Sequence, residues 1–215
     1  MKLKEPFVIT ISREVGSGGR TVGRKLAARL GVRYSDKQLI RALKEKFNLT
    51  VSGIEKLKGE KKNWLTDFIQ LVAPVPKISA FLDADSKYVQ EDRQEVTVQD
   101  VYEAEREILN AIADEGSCII AGRSGFFVLK DRPNKVDIFI TASREKRIER
   151  VMRKQELLRN QAEALIDSVD EGRDNYVRRY TGMTRYDARN YDLVLNMDHL
   201  TEDEAVNLIL AYLGV

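Results

Sequence analysis

Residues 13–21, "REVGSGGRT", place three glycines within four positions, Gly16, Gly18 and Gly19, between two arginines. Small residues let successive backbone N–H groups turn toward one phosphate, and a helix opening there adds partial positive charge. The stretch is built to handle an anion. It matches G-x-x-x-x-G-K-[ST] imperfectly, because the lysine is missing. In one register Gly18 is the second glycine, so Gly19 falls at the lysine and Arg20 at the hydroxyl position. In the other, Gly19 is the second glycine, Arg20 stands for the lysine and Thr21 supplies the hydroxyl that reaches Mg2+. Neither keeps the first glycine, since Arg13 or Glu14 falls there. The second register has the better chemistry, one cation followed by one hydroxyl, although a planar guanidinium follows a moving phosphoryl group less readily than an ammonium. A plain strand-to-helix turn would need only two of the glycines.

Further cations fall at informative places. "IIAGRSG" reads as a buried strand ending in Gly122 and Arg123. In a parallel sheet, ligands lie outside the carboxyl ends of the strands, so Arg123 points where a substrate phosphate belongs; a surface salt bridge is the alternative. Arg147, Arg150 and Lys154 follow i, i+3, i+7 and line one helical stripe, with Glu145 and Glu149 as possible solvated partners. Asp170, Arg173 and Asp174 share one helical patch, which an i,i+3 ion pair would explain equally well. Tyr176, Tyr180 and Tyr186 read as packing aromatics rather than base-stacking ones.

The elements that must position these residues alternate. Short apolar, β-branched runs at 7–11, 118–121, 136–140 and 191–195, with a weaker one at 32–34, suit strands buried on both faces. Helical patterns lie between them. Val22, Leu26 and Leu30 share a face and Gly31 can stop that helix. Thr97, Ser143, Asn160 with Glu163, and Thr201 with Glu204 are expected helix starts. Such alternation implies right-handed crossovers and a three-layer α/β/α sandwich. Residues 48–96 break the pattern: a charge run, "WLTDFIQLV" as an amphipathic helix, then "APVPK" with two prolines. They are expected to be a helical insertion, packed on the core or offered to a protein partner or a second copy.

Bulk properties narrow the chemistry. With 215 residues, one domain carrying an insertion is the natural expectation. The 36 basic and 34 acidic residues leave a net charge of +2, which disfavours a general nucleic-acid binder. Cys118 as sole cysteine excludes an intrachain disulfide, and His199 as sole histidine disfavours a histidine-centred triad. No apolar run reaches the ~18 residues of a membrane span, and the N-terminus lacks a signal-peptide core. A cytoplasmic protein is expected.

Five segments, "ITISREVGSGGRTVGRKLA", "YSDKQLIRAL", "IIAGRSGFFVL", "DIFITASREKRIERV" and "YDLVLN", together resemble the cytidylate kinase-like family of P-loop nucleoside monophosphate kinases. The resemblance implies a P-loop fold with a five-stranded parallel sheet, ATP and Mg2+ as cofactors, a small-molecule nucleotide as substrate, and an arginine-bearing lid at 144–180. It implies that Gly16, Ser17, Gly18, Gly19, Arg20 and Thr21 hold the donor phosphates and that Thr21 leads to the metal. It assigns Asp36 to the acceptor's sugar or base, and Arg41 and Arg123 to its phosphate, with Asp170 and Arg173 nearby. Arg147 and Arg150, with Arg20, would stabilise the transferring group. The chain departs from the family in lacking the loop lysine and in carrying Ser124 where an aspartate often follows the arginine. Those departures leave a non-catalytic nucleotide-binding module, or a kinase of another small metabolite, as alternatives.

Overall fold

Val8–Arg13 forms β1, whose residues are buried up to Ser12 because the strand is covered on both faces. A computed structural model describes residues 1–35 and 98–215 of the chain. The expected acceptor residues Asp36 and Arg41, the cap Thr97 and the insertion at 48–96 lie outside the described residues. After β1 come α1 (Gly19–Leu30), β2 (Arg33–Ser35), α2 (Val98–Asp114), β3 (Cys118–Ala121) and a single turn, α3 (Gly125–Val128). They are followed by β4 (Lys135–Thr141), α4 (Arg144–Gln155), α5 (Arg159–Thr181), β5 (Leu193–Asn196) and α6 (Glu202–Leu213). The chain divides into two compact units, Met1–Asp36 with Leu109–Val215, and Lys37–Ile108. The five strands and the residues discussed below belong to the first.

The sheet is parallel throughout, in the order β2-β3-β1-β4-β5. β1 lies at its centre, with Ile9 opposite both Ile119 and Val136. Side chains alternate across a strand. Ile9, Ile11, Ile138 and Ile140 meet Val22 and Leu26 of α1 and Val206 and Ile209 of α6 in one core. Each such side chain contributes about 1.5–3 kcal/mol on burial. On the other face Thr10 Oγ1 donates to Asp137 at 2.5 Å, beside an ion pair from Lys135. A smaller cluster of Ile148, Val151, Ala162 and Ile166 joins α4 to α5, and Val15 from the loop after β1 packs against it. That contact ties the loop to the two helices.

Ser143 and Thr201 stand at the expected starts of α4 and α6, and of the two only Thr201 caps its helix through its side chain. Thr201 Oγ1 accepts from the Glu204 N–H at 3.2 Å while Glu204 accepts from the Thr201 N–H at 2.8 Å, the expected reciprocal pair. α5 starts earlier than the sequence suggests. Gln161, not Glu163, reaches back, to the Leu158 N–H at 2.9 Å, and Glu163 instead pairs with Arg159 one turn away at 2.9 Å. Cys118 is buried in β3, and burial pushes its thiol up, so it has the character of a packing residue. No helix among the described residues is long and apolar enough to cross a membrane.

Candidate active site

The loop after β1 is held from inside by a serine. Ser17 is fully buried; its hydroxyl and its N–H both reach the Glu14 carbonyl, at 2.9 and 3.3 Å. The chain then turns at Gly18, which caps α1 with a left-handed φ of 89°, and the helix begins at Gly19. Arg20 is therefore the second helical residue and Thr21 the third. The start of α1 carries the partial positive charge of a helix N-terminus, which favours an anion, although the Gly19 N–H reaches Ser17 Oγ at 3.4 Å and the Thr21 N–H donates to the Gly18 carbonyl at 2.9 Å. Gly16 also has positive φ, and a Cβ there would lie 2.5 Å from the Arg147 carbonyl oxygen at the start of α4. The loop can lie this close to α4 only without a side chain. Gly16→Ala is expected to cost about 1–2 kcal/mol from its φ alone and to separate loop from helix. Titration with a non-hydrolysable ATP analogue would read this as weaker binding; an unchanged affinity would contradict it.

Asp170, only 5% exposed, is the counter-charge at the centre of the site. It accepts from the Val15 N–H at 3.1 and 3.3 Å, from Arg147 at 2.5 Å and from Arg173 at 3.4 Å, and Arg185 lies 3.8 Å away. Arg147 also stands 3.5 Å from Glu14 and donates to the Val15 carbonyl at 3.4 Å. Arg173 donates to the Arg13 carbonyl at 3.2 Å, and Arg185 donates to the same oxygen. Burial, then repulsion from Arg13 and Arg185, drives the Arg173 pKa well down, with Asp170 opposing and Arg123 adding to the repulsion. Arginine does not lose its proton in proteins. The direction instead reflects four arginines, Arg13, Arg123, Arg173 and Arg185, gathered near one another, with Asp170 as an opposing charge. Among the described residues, Arg185 Nη1 and Ser124 Oγ are buried without a hydrogen-bond partner.

Arg123 enters this cluster from an unusual turn. Gly122, Arg123 and Ser124 all have positive φ, 80°, 60° and 51°. Two non-glycine residues in that region cost on the order of 1–3 kcal/mol each and persist where the surroundings enforce them, typically at functional sites.

On the other side of the loop, the Arg150 guanidinium rests against Gly18 and is bonded to Glu202 at 2.8 Å. It borders a cleft of about 220 Å3 whose walls include Gly16, Ala142, Lys146, Met197 and Leu200. Lys154 donates to Thr21 Oγ1 at 3.5 Å.

Several expected residues thus come together: Gly16 to Thr21, Arg123, Arg150, Asp170 and Arg173. Two take other positions than their spacing suggested. Arg147, expected on a mobile lid, is buried and bonded to Asp170, so it clamps the loop. Asp170, expected near substrate, has its oxygens engaged by protein donors. Arg13 and Arg185 were not anticipated. Arg13 stood in plain sight as the residue replacing the motif's first glycine. Arg185 lies in an irregular segment after α5, where no periodicity marks it.

A five-stranded parallel sheet with a glycine loop opening the first helix, and cations gathered at the carboxyl ends of its strands, defines a P-loop phosphate-binding protein of the kinase type. The protein belongs to the cytidylate kinase-like family, whose model matches residues 8–199. It is 27% identical over 212 residues to a cytidylate kinase of Sulfurisphaera tokodaii, covering 97% of this chain and 96% of that one. Its fold is similar to that of an uncharacterized protein from Eubacterium ventriosum, with TM-score 0.67 and 21% identity over 97% and 98% of the chains. The shikimate kinase of Bacteroides thetaiotaomicron shares the fold at TM-score 0.53 and 14% identity over 97% and 99%.

Proposed function

We propose that the protein is a nucleotide kinase that moves the γ-phosphoryl group of ATP to a nucleoside monophosphate, with CMP or dCMP as the first acceptors to consider. The observation that carries this is the juxtaposition of the glycine loop with the arginines gathered around Asp170. Two anionic groups must be brought together there, and four guanidiniums offset their repulsion. The S. tokodaii relative supports the choice of cytidine.

In this reading the donor phosphates lie against the glycine loop at the N-terminus of α1, with Arg20 adding charge at the first turn of the helix. Arg150 turns from Glu202 onto the donor. The cleft beside Gly16 offers the apolar walls of Ala142, Met197 and Leu200 to the donor's base. Arg123, Arg173 and Arg185 receive the acceptor's phosphate. An acceptor oxygen forms the new bond to the γ-phosphorus as the bond from that phosphorus to the β–γ bridging oxygen breaks, and ADP leaves. The acceptor phosphate is ionised near neutral pH, so no general base is needed. The protein's work is in-line positioning, charge stabilisation and exclusion of water.

The site suits Mg2+ that arrives on the nucleotide. Among the described residues no cluster of three acidic, histidine or cysteine side chains stands ready for a metal, whereas the Thr21 hydroxyl lies at the start of α1. Mg2+ bound to phosphates usually takes only one or two protein ligands and keeps several waters. When bound it would neutralise charge on the donor phosphates, with Thr21 as its protein oxygen. A cytoplasmic location belongs to the same reading, since ATP and nucleoside monophosphates are found there.

The test is 31P NMR of ATP with CMP, dCMP, UMP, AMP and GMP in turn, with and without Mg2+. The expected result is a nucleoside diphosphate from a cytidine acceptor, lost when the metal is chelated. ATP binding with no diphosphate from any acceptor would contradict the proposal and favour a nucleotide-binding module.

A further inference from the structure

Gly19 poses a question that its backbone does not answer. Its φ is not positive, unlike those of Gly16 and Gly18, so an ordinary side chain meets no conformational barrier there. What excludes one is space. A Cβ on Gly19 would lie 2.7 Å from Arg13 Cβ, 3.3 Å from Arg13 Cγ and 3.2 Å from Ile140 Cβ. The volume that a residue at 19 would claim is already filled by the stem of Arg13.

Positions 13 and 19 are the first-glycine and lysine positions of the phosphate-loop motif when Gly18 is taken as its second glycine. The left-handed φ of Gly18 at the cap of α1 supports that register, because of Gly18 and Gly19 only the former is required by conformation. The chain then carries the motif with two residues exchanged: a long cation where the glycine stands, and a glycine where the cation stands. The two positions face each other, so only one can bear a side chain.

The far end of Arg13 is placed as well. Its guanidinium lies against Gly122, the first residue past β3, where a Cβ would collide with Nη1. Gly122 is followed by Arg123, so the Arg13 side chain spans from the donor loop to the arginine assigned to the acceptor. Its carbonyl is gripped by Arg173 and Arg185, which fixes the residue from which the side chain departs. Gly19 and Gly122 together form the passage it occupies.

We propose that Arg13 is the catalytic cation of the loop, taking from the opposite strand end the place left by the missing lysine and meeting the transferring γ-phosphoryl oxygens. This deepens the kinase reading and rests on it. It moves the role from Arg20, the second residue of α1, to Arg13. In this register Arg20 stands at the motif's hydroxyl position, so Thr21 would offer its oxygen to the metal from the next position along. A guanidinium reaching the phosphoryl group from β1 acts by charge and hydrogen bonding alone and exchanges no proton.

The experiment measures single-turnover transfer from ATP and Mg2+ to the best acceptor for the wild type, Arg13→Ala, Arg20→Ala, Arg13→Gly, and Arg13→Gly combined with Gly19→Lys. Thermal unfolding of each variant checks that it folds. Loss of one such preorganised donor lowers the rate by about 10²–10³-fold. That fall is expected for Arg13→Ala, with a smaller one for Arg20→Ala. The combined exchange is expected to be faster than Arg13→Gly, because it restores a lysine at 19 once the stem of Arg13 is gone. A fall of less than tenfold in a folded Arg13→Ala, a larger loss in Arg20→Ala, or an exchange no faster than Arg13→Gly would overturn the proposal. Failure of the kinase reading would be visible separately, as a wild type that transfers to no acceptor. Binding then decides: Arg13→Ala must weaken a non-hydrolysable ATP analogue more than ADP, and equal weakening would overturn the assignment to the γ-phosphate.

Discussion

Asp170→Ala is expected to lower stability by roughly 3–5 kcal/mol, the usual cost of leaving buried charge uncompensated. The carboxylate is almost wholly enclosed, and the guanidiniums of Arg147 and Arg173 and one backbone N–H converge on it. Its removal strands Arg147, Arg173 and Arg185 together, so their repulsion adds to the lost hydrogen bonds. Val15 loses its anchor at the same time, and the loop loses its attachment to α5. Asp170→Asn is expected to fall between, because an amide oxygen still accepts from Val15 but offers no charge. Urea unfolding reads both as a lower midpoint at unchanged slope. An Asp170→Ala protein within about 0.5 kcal/mol of wild type, the range of ordinary surface changes, would contradict the clamp.

The second large effect runs in the opposite direction. A cluster of arginines offers a site to an anion that fits it, and a ligand at a hundred times its Kd adds about 2.7 kcal/mol. For a chain of this length that corresponds to a rise in Tm of roughly 5–10 °C. CMP alone, without ATP, is therefore expected to raise Tm. Arg185→Ala is expected to remove most of that rise, because one of its nitrogens is buried without a partner among the described residues and its guanidinium lies near the rings of Phe139 and Tyr186. The rise produced by ATP should be retained, since the donor loop is left intact. A CMP-dependent shift of equal size in wild type and Arg185→Ala would show that the acceptor lies elsewhere.

All five strands of the described sheet were legible in the sequence as short apolar runs, the central three because they are buried on both faces, whereas the edge strands β2 and β5 are partly exposed. The P-loop fold and the family followed from the glycine loop and from the order of the matching segments. The site was legible by composition more than by role. Arg147, Arg150 and Lys154 do share a helix, yet spacing says nothing about depth. Arg147, at the start of α4, meets Asp170 beneath the loop, whereas Arg150 reaches Gly18 and Glu202. Asp170 and Arg173 do form the i,i+3 pair that their spacing allows, but Asp170 is buried, because Val15 and Arg147 also bond to it. Arg13 was visible only as an exception to a motif. Its meaning needed the third dimension, in which Gly19 and Gly122 show what their absent side chains make room for.

The most direct measurement uses ATP labelled in the γ-phosphate, mixed with the protein, Mg2+ and CMP, quenched and separated. The account predicts label in CDP, formed only when CMP is present and at the same rate as ADP. Label found only in inorganic phosphate, or remaining in ATP despite saturated binding, would contradict it.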